Sequence, residues 1–275
     1  MPPRASRHFH GFIIAVTVCL AGLSVYALIA PASAQSSFQG SVHYVALGDS
    51  YSSGVGAGSY SDGSCEQSAH AFPVLWTHAN GPASFTNKTC SGATTANVLR
   101  SQLSALRSTT TLVSITIGGN DVGFASVLTT CVIFSTRTCV KAIRAAESEM
   151  TSRLPGELNK VLAAIARDAA RAKVVVLGYP ELYDLSNSSA CFGLSTTDRT
   201  NLNQAADQLD AQIQGAAGRH HDVFAGVRAA FAGHELCDSD SWLYSVDLFN
   251  LGISYHPRAS GQSRAYYPVF ASAAR

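Results

Sequence analysis

The chain carries little charge. Only 13% of its 275 residues are Asp, Glu, Lys or Arg, and the formal net charge is +1. So neutral a surface offers no electrostatic footing for nucleic acid or for an anionic membrane. There is no internal repeat and no long low-complexity linker, so nothing divides the chain into modules beyond what its length allows, one large domain or two small ones. No Cys-x-x-Cys pair occurs, which removes the usual zinc-site spacing. The glycine-rich run Gly54-Val55-Gly56-Ala57-Gly58 lacks a following Lys-Ser/Thr and opens no clear helix, so it is not a phosphate-binding loop. What the chain has in quantity is apolar residues, at 47%. That is enough to bury a sizeable core and excludes intrinsic disorder.

The N-terminus stands apart from that core. Arg4 and Arg7 precede an apolar run over 12–30, and Pro31-Ala32-Ser33-Ala34 follows. A basic start, an apolar middle and an Ala-x-Ala exit predict a secretory signal peptide over 1–34, cleaved after Ala34. The alternative is an uncleaved anchor, because the run is nearly long enough to span a bilayer. Cys19 lies inside the apolar run, away from the exit, and is not read as a lipid-anchoring cysteine. Cleavage removes two arginines, leaving 17 basic against 18 acidic residues and a net charge of −1. Residues 35–275 then form a single domain. Six of the seven cysteines remain, an even count in an exported chain, and so predict three disulfides. Composition alone admits many pairings. Sequential pairing (Cys65–Cys90, Cys131–Cys139, Cys191–Cys237) is the expected one, because it closes local loops between neighbouring elements.

Apolar runs and helical spacings alternate along the rest. Strands are expected at 44–47, 84–87, 112–117, 173–177 and from Val223. Helices are expected at 71–80, 94–106, 141–172 (broken at Pro155), 197–217 (capped at Thr196 or Thr197) and 260–270. The stretch from Ser52 to Ser64 reads as a loop. Strand–helix alternation implies a parallel sheet covered on both faces. Right-handed crossovers bring the C-terminal ends of all strands to one rim, where such sheets bind ligands. Ser50 follows the first strand, and Gly119 and Asn120 follow another, so all three belong to that rim.

A serine hydroxyl needs a base to become a nucleophile. Of nine histidines, His8 and His10 leave with the signal peptide. His43 begins the first strand, on the opposite rim. His70 and His78 flank the first helix, His220 and His221 close a later one, and His234 sits in a loop beside Cys237. His256, in Ser254-Tyr255-His256-Pro257, is favoured over His234 because the following proline restrains its backbone. No Gly-x-Ser-x-Gly elbow surrounds Ser50, which argues against an α/β-hydrolase.

Four blocks now carry a resemblance. Gly48-Asp49-Ser50-Tyr51-Ser52, Gly92 within Cys90-Ser91-Gly92-Ala93-Thr94, Gly118-Gly119-Asn120-Asp121 and His256-Pro257 resemble, in order, the blocks of the SGNH (GDSL) hydrolases. The chain is most similar to the secreted actinobacterial branch of lipases, esterases and phospholipases A1. The resemblance implies a three-layer α/β/α, flavodoxin-like fold with a central parallel sheet of about five strands. It implies Ser50 as nucleophile and His256 as general base. The oxyanion hole it implies comprises the N–H groups of Ser50 and Gly92 and the side-chain amide of Asn120. Many members place an aspartate three residues before the histidine. Here that position is Ile253, so the resemblance points to a main-chain carbonyl, of Ile253 or Ser254, orienting the imidazole in a Ser–His dyad. Asp247 is the alternative third member.

Read this way, the protein is a secreted, cofactor-free, metal-free monomer. It would hydrolyse lipid or short-to-medium acyl esters, touching a lipid surface transiently and binding no nucleic acid. A carbohydrate O-acyl esterase, or a secreted binding protein that kept the fold and lost the chemistry, are the competing readings. Blander roles compete at single positions. Ser50 or Asn120 could merely cap a helix, Gly92 could relieve a turn, Asp49 could serve as a turn acceptor, and Asp121 as a cap or scaffold residue.

Overall fold

The computed structural model describes residues 41–186, 193–247 and 249–275. The expected signal peptide, and Cys191 of the third expected disulfide, lie outside the described residues.

Five parallel strands make the central sheet: β1 (His43–Gly48), β2 (Ser84–Asn87), β3 (Leu112–Thr116), β4 (Lys173–Leu177) and β5 (Val223–Ala225), in the spatial order β2-β1-β3-β4-β5. The burial of each strand follows its place. β3 (LVSIT) is buried throughout, and β1 and β4 are buried after their first residue, as strands covered on both faces must be. The edge strands β2 and β5 are short and more polar or more exposed. Helix Phe72–Asn80 packs with the C-terminal helix Tyr267–Ala273. Helix Leu154–Asp168 packs with both the helical segment Thr95–Ala105 and helix Thr196–Arg219, and helix Thr136–Ser152 lies against the last of these. The result is the three-layer α/β/α arrangement with β1 and β3 at its centre.

Local chemistry explains most element boundaries. The break at Pro155 is real: one helix ends at Ser152, and the next begins at Leu154 with proline in its first turn, where its missing N–H costs nothing. The helix expected from 197 begins at Thr196, and its cap is Ser195 rather than Thr196 or Thr197. The Ser195 hydroxyl accepts the Asp198 N–H, and the Asp198 carboxylate accepts the Ser195 N–H, a reciprocal box that outcompetes either threonine. The loop expected from Ser52 to Ser64 holds a small antiparallel ribbon, Tyr60–Asp62 against Gln67–Ser68. Strands of two or three residues carry too little alternation to be read in advance. Disulfides Cys65–Cys90 and Cys131–Cys139 are both present.

Candidate active site

The rim above β1 and β3 is built by chain reversals at their ends. At the end of β1 the backbone must pass beside Thr116. Gly48 takes φ +122°, and a Cβ there would lie 2.5 Å from the Thr116 carbonyl oxygen. The Gln102 side chain then acts as a missing strand neighbour. Its Oε1 accepts the Gly48 N–H at 2.7 Å and its Nε2 donates to the Gly48 carbonyl at 2.9 Å. Asp49 caps the one-turn helix Ser50–Ser53 by accepting the Tyr51 N–H at 3.0 Å. Ser50 is therefore the first residue of that turn, not its cap.

The Ser50 hydroxyl meets the histidine expected for it. His256 Nε2 lies 2.8 Å from Ser50 Oγ, across 206 residues of sequence. The other ring nitrogen, Nδ1, lies 3.1 Å from the Ser254 carbonyl oxygen. The Ile253 carbonyl accepts the His256 main-chain N–H at 3.1 Å. The Asp247 carboxylate is engaged elsewhere, accepting the N–H groups of Phe249 and Asn250 at 2.9 and 3.1 Å in a turn of its own. A carbonyl at Nδ1 selects the tautomer with hydrogen on Nδ1, leaving the Nε2 lone pair toward the serine. Protein surrounds the histidine, which is half-buried. Burial pushes the imidazolium pKa down from 6.5 to about 4, against the carbonyls of Ser254, Ile253 and Gly252, which raise it. The ring is thus a neutral base at ordinary pH.

Three hydrogen donors face the same space. Among the described residues, neither the Ser50 N–H nor the Gly92 N–H donates a hydrogen bond. Asn120 donates one amide hydrogen to the Ala93 carbonyl at 3.0 Å, leaving the other for a ligand. Ser50, Gly92 and Asn120 all line one cavity of about 330 Å³ together with His256. Gly92 has φ +74°, and a Cβ on it would touch no protein atom within 4 Å. Glycine is needed there for its left-handed backbone, and its open side is the cavity itself. Asp121 holds this loop in place, accepting the N–H and hydroxyl of Thr95. Asn120 caps no helix, because the helix Phe124–Ile133 is entered through Gly123.

Tyr179, at the end of β4, was not legible beforehand. Its hydroxyl donates to Asp49 and accepts the Gly119 N–H at 3.3 Å, tying the turn before Ser50 to the turn before Asn120. Burial raises the Asp49 carboxyl to about 6, although hydrogen bonds from Tyr179, Thr116 and Tyr51 pull it back. Burial, and then the Asp49 charge, push the Tyr179 hydroxyl well above its ordinary value, so the shared proton stays on the phenol. Gly56 was also missed as a packing residue. A Cβ there would lie 2.7 Å from the Pro257 carbonyl oxygen and 3.3 Å from His256 Cβ. The glycine run thus makes room for the histidine segment. His234 is not in the cavity and stacks on Trp242 at 3.6 Å. Among the described residues, no group of three or more His, Cys, Asp or Glu side chains converges as a metal site, and no helix is long and apolar enough to cross a membrane.

A hydroxyl on a neutral imidazole, facing uncommitted N–H donors at the carboxyl rim of a five-stranded parallel sheet, defines a class. The protein is a carboxylic ester hydrolase of the SGNH type. More narrowly, the chain belongs to the GDSL-like lipase/acylhydrolase family, whose family model matches residues 46–264. It is 48% identical to Lipase 1 of Streptomyces coelicolor over 264 residues, 95% of each chain. It is 49% identical to a lipase of Streptomyces rimosus over 232 residues, 84% of this chain and 86% of that one. Among solved structures, phospholipase A1 from Streptomyces albidoflavus NA297 shares 50% identity with a TM-score of 0.81, covering 84% of this chain and 98% of its own.

Proposed function

We propose that the protein is a secreted lipase-type hydrolase acting on acyl esters of lipids, with Ser50 as nucleophile and His256 as general acid and base. Ser50 Oγ bonds to the ester carbonyl carbon while its proton passes to His256 Nε2. The negative charge that gathers on the former carbonyl oxygen is met by the Ser50 and Gly92 N–H groups and the Asn120 amide. Fixed neutral donors favour that charge over the ground-state carbonyl. As the tetrahedral species collapses, the carbon–oxygen bond to the leaving alcohol breaks and the imidazolium protonates that oxygen. Water then attacks the acyl-enzyme, gives its proton to His256, and releases the acid and free Ser50. The Ser254 carbonyl holds the ring's Nδ1–H throughout. A carbonyl stabilises imidazolium less than a carboxylate would, so more of the catalytic burden falls on the donor set.

The observation that carries this reading is the 2.8 Å Ser50–His256 contact at the mouth of an apolar cavity. Away from the serine the walls include Phe124, Leu128, Val132, Leu182, Leu209 and Val246, surfaces suited to an acyl chain and poor in partners for a sugar. Ile133 and Leu251 line the cavity and are exposed, and Phe134 and Phe249 beside them are exposed too. A near-neutral protein with such a rim touches a lipid aggregate through apolar contact rather than charge. One chain supplies every group of the site, so a monomer is sufficient for the chemistry. The 1–34 signal directs export and cleavage after Ala34 releases the chain, so mass spectrometry of the secreted protein should find Gln35 first; an intact Met1 in the membrane fraction would refute release.

The test of the reaction uses Ser50→Ala and His256→Ala on p-nitrophenyl esters of increasing chain length, with labelling by a fluorophosphonate. Both folded variants should lose turnover, and only Ser50→Ala should lose the label outright. Turnover near wild type in either variant refutes the dyad. An unlabelled wild-type protein would instead mark a binding protein.

A further inference from the structure

The distance between Ser50 and His256 depends on how two segments 206 residues apart are held together. No carboxylate orients the histidine, so something else must fix its segment. That segment is strained and irregular. Tyr255, immediately before His256, sits at φ +66°, a left-handed conformation that non-glycine residues seldom adopt. Such a conformation persists only when its surroundings over-determine it.

The surroundings are unusually complete. The Tyr255 N–H donates to the Tyr244 carbonyl at 2.8 Å, and the His256 carbonyl accepts the Tyr244 N–H at 3.0 Å. The peptide plane between Tyr255 and His256 is held at both ends. Its N–H donates to the Ile253 carbonyl at 3.1 Å, and its carbonyl accepts the Tyr51 hydroxyl at 2.8 Å. Tyr51 is the residue after the nucleophile. Its own N–H is bonded to Asp49, and its carbonyl accepts Gln262 Nε2 at 2.9 Å, so its main chain cannot drift. Its ring stands edge-on to Tyr179, centroids 5.0 Å apart, and lies 5.3 Å from the imidazole.

We infer that Tyr51 is a positioning residue: its hydroxyl, bonded to the Tyr255 carbonyl, ties the turn that carries the nucleophile to the segment that carries the base. The inference rests on the Ser50–His256 reading above. The Ser254 carbonyl takes the ring contact that a third-member carboxylate makes elsewhere, and Tyr51 holds the peptide that carries the ring. It borders the same cavity, but its hydroxyl bonds to the Tyr255 carbonyl and to neither reacting side chain. Removing the hydroxyl alone should let the 255–256 peptide relax and leave the imidazole in several orientations, few of them within reach of Ser50 Oγ.

The test is Tyr51→Phe, which keeps the ring contacts, measured beside Tyr183→Phe. Tyr183 donates its hydroxyl to the Tyr255 hydroxyl at 3.0 Å, so the control removes a buried hydrogen bond from the same residue without touching the peptide plane. Tyr51→Phe should lower kcat by about 10-fold, inside the ~10²-fold that a 1 Å misplacement can cost, with KM unchanged within about twofold. The rate of Ser50 inactivation by a fluorophosphonate should fall by the same factor, because that reaction needs the serine and base but no acyl-chain fit. Tyr183→Phe should lower Tm comparably while keeping kcat and the inactivation rate. Three results would overturn the inference: wild-type kcat in Tyr51→Phe, a rise in KM alone, or identical behaviour of the two variants, including a common failure to fold. Failure of the underlying dyad is distinguishable, because it appears as turnover in Ser50→Ala, whatever Tyr51→Phe does.

Discussion

Acidifying the enzyme to about pH 5 should leave most of its kcat/KM intact. The perturbation is protonation of His256, the only imidazole on Ser50. Burial lowers its pKa from 6.5 to about 4. That drop corresponds to about 3 kcal/mol against the imidazolium, an upper value because the residue is only half-buried. At pH 5 about nine-tenths of a base with the lowered value is neutral, against ~3% for an ordinary histidine. The assay is kcat/KM for a soluble short-chain p-nitrophenyl ester, read where phenol and phenolate absorb equally. Because kcat/KM reports the free enzyme, its acid limb should fall near 4. The same group bears on stability. Its folded value lies below its unfolded one, so its contribution is complete above about pH 6.5 and is lost as the pH falls through about 4. Tryptophan fluorescence at each pH separates unfolding from loss of the base. Asp49, raised to about 6 by burial, and Asp210, raised to about 7 by burial and bonded to the Tyr179 N–H, could confuse the profile. A limb near 6 that vanishes in Asp49→Asn would belong to Asp49. A limb near 6.5 that survives both that change and Asp210→Asn, in folded protein, would refute the reasoning about His256.

Other consequences are equally direct. Asn120→Ala removes one of the neutral donors proposed for the developing oxyanion and should lower kcat by about 10²–10³-fold with little change in KM, measured by steady-state kinetics on the same ester. Gly56→Ala places a methyl 2.7 Å from the Pro257 carbonyl at φ +88°. It should destabilise the fold by about 1–3 kcal/mol, seen in urea melts, and should lower kcat as the histidine segment shifts. Replacing both Cys65 and Cys90 by alanine opens a loop with a sequence separation of 25 and frees the segment that carries Gly92, whose neighbour Ser91 donates its N–H to Cys65. The expected loss is about 3 kcal/mol, with a fall in kcat beyond that of a Cys131→Ala/Cys139→Ala variant, whose disulfide joins two helices and not the Gly92 segment.

The strands, most helices and their alternation were readable because each is a local pattern, although helix Phe124–Ile133, which lines the cavity, was not among the expected ones. Tyr44 to Leu47, Leu112 to Ile117 and Lys173 to Leu177 are apolar runs of strand length, and the parallel sheet follows from the helices between them. The same alternation brings Ser50 and Asn120 to one rim without any knowledge of contacts. The short ribbon at Tyr60–Ser68 and the Ser195 cap were not legible. The first has too few residues for a period, and the second was a choice among three adjacent hydroxyl residues, decided by Asp198.

By itself, the order of residues determined the class of sheet, the edge on which chemistry could gather, and which serine, glycine and asparagine stand at strand ends. These are short-range consequences of backbone geometry and of which side chains water rejects. It left His256 only modestly ahead of His234, and left open whether Ile253, Ser254 or Asp247 faces the ring. Only the tertiary structure decided those points, bringing Nε2 to 2.8 Å from Ser50 Oγ and the Ser254 carbonyl to 3.1 Å from Nδ1. It also recruited Tyr51, Gly56 and Tyr179 to hold the turns together. Contacts across hundreds of residues are set by the packing of the whole chain, and no local pattern of residue types encodes them.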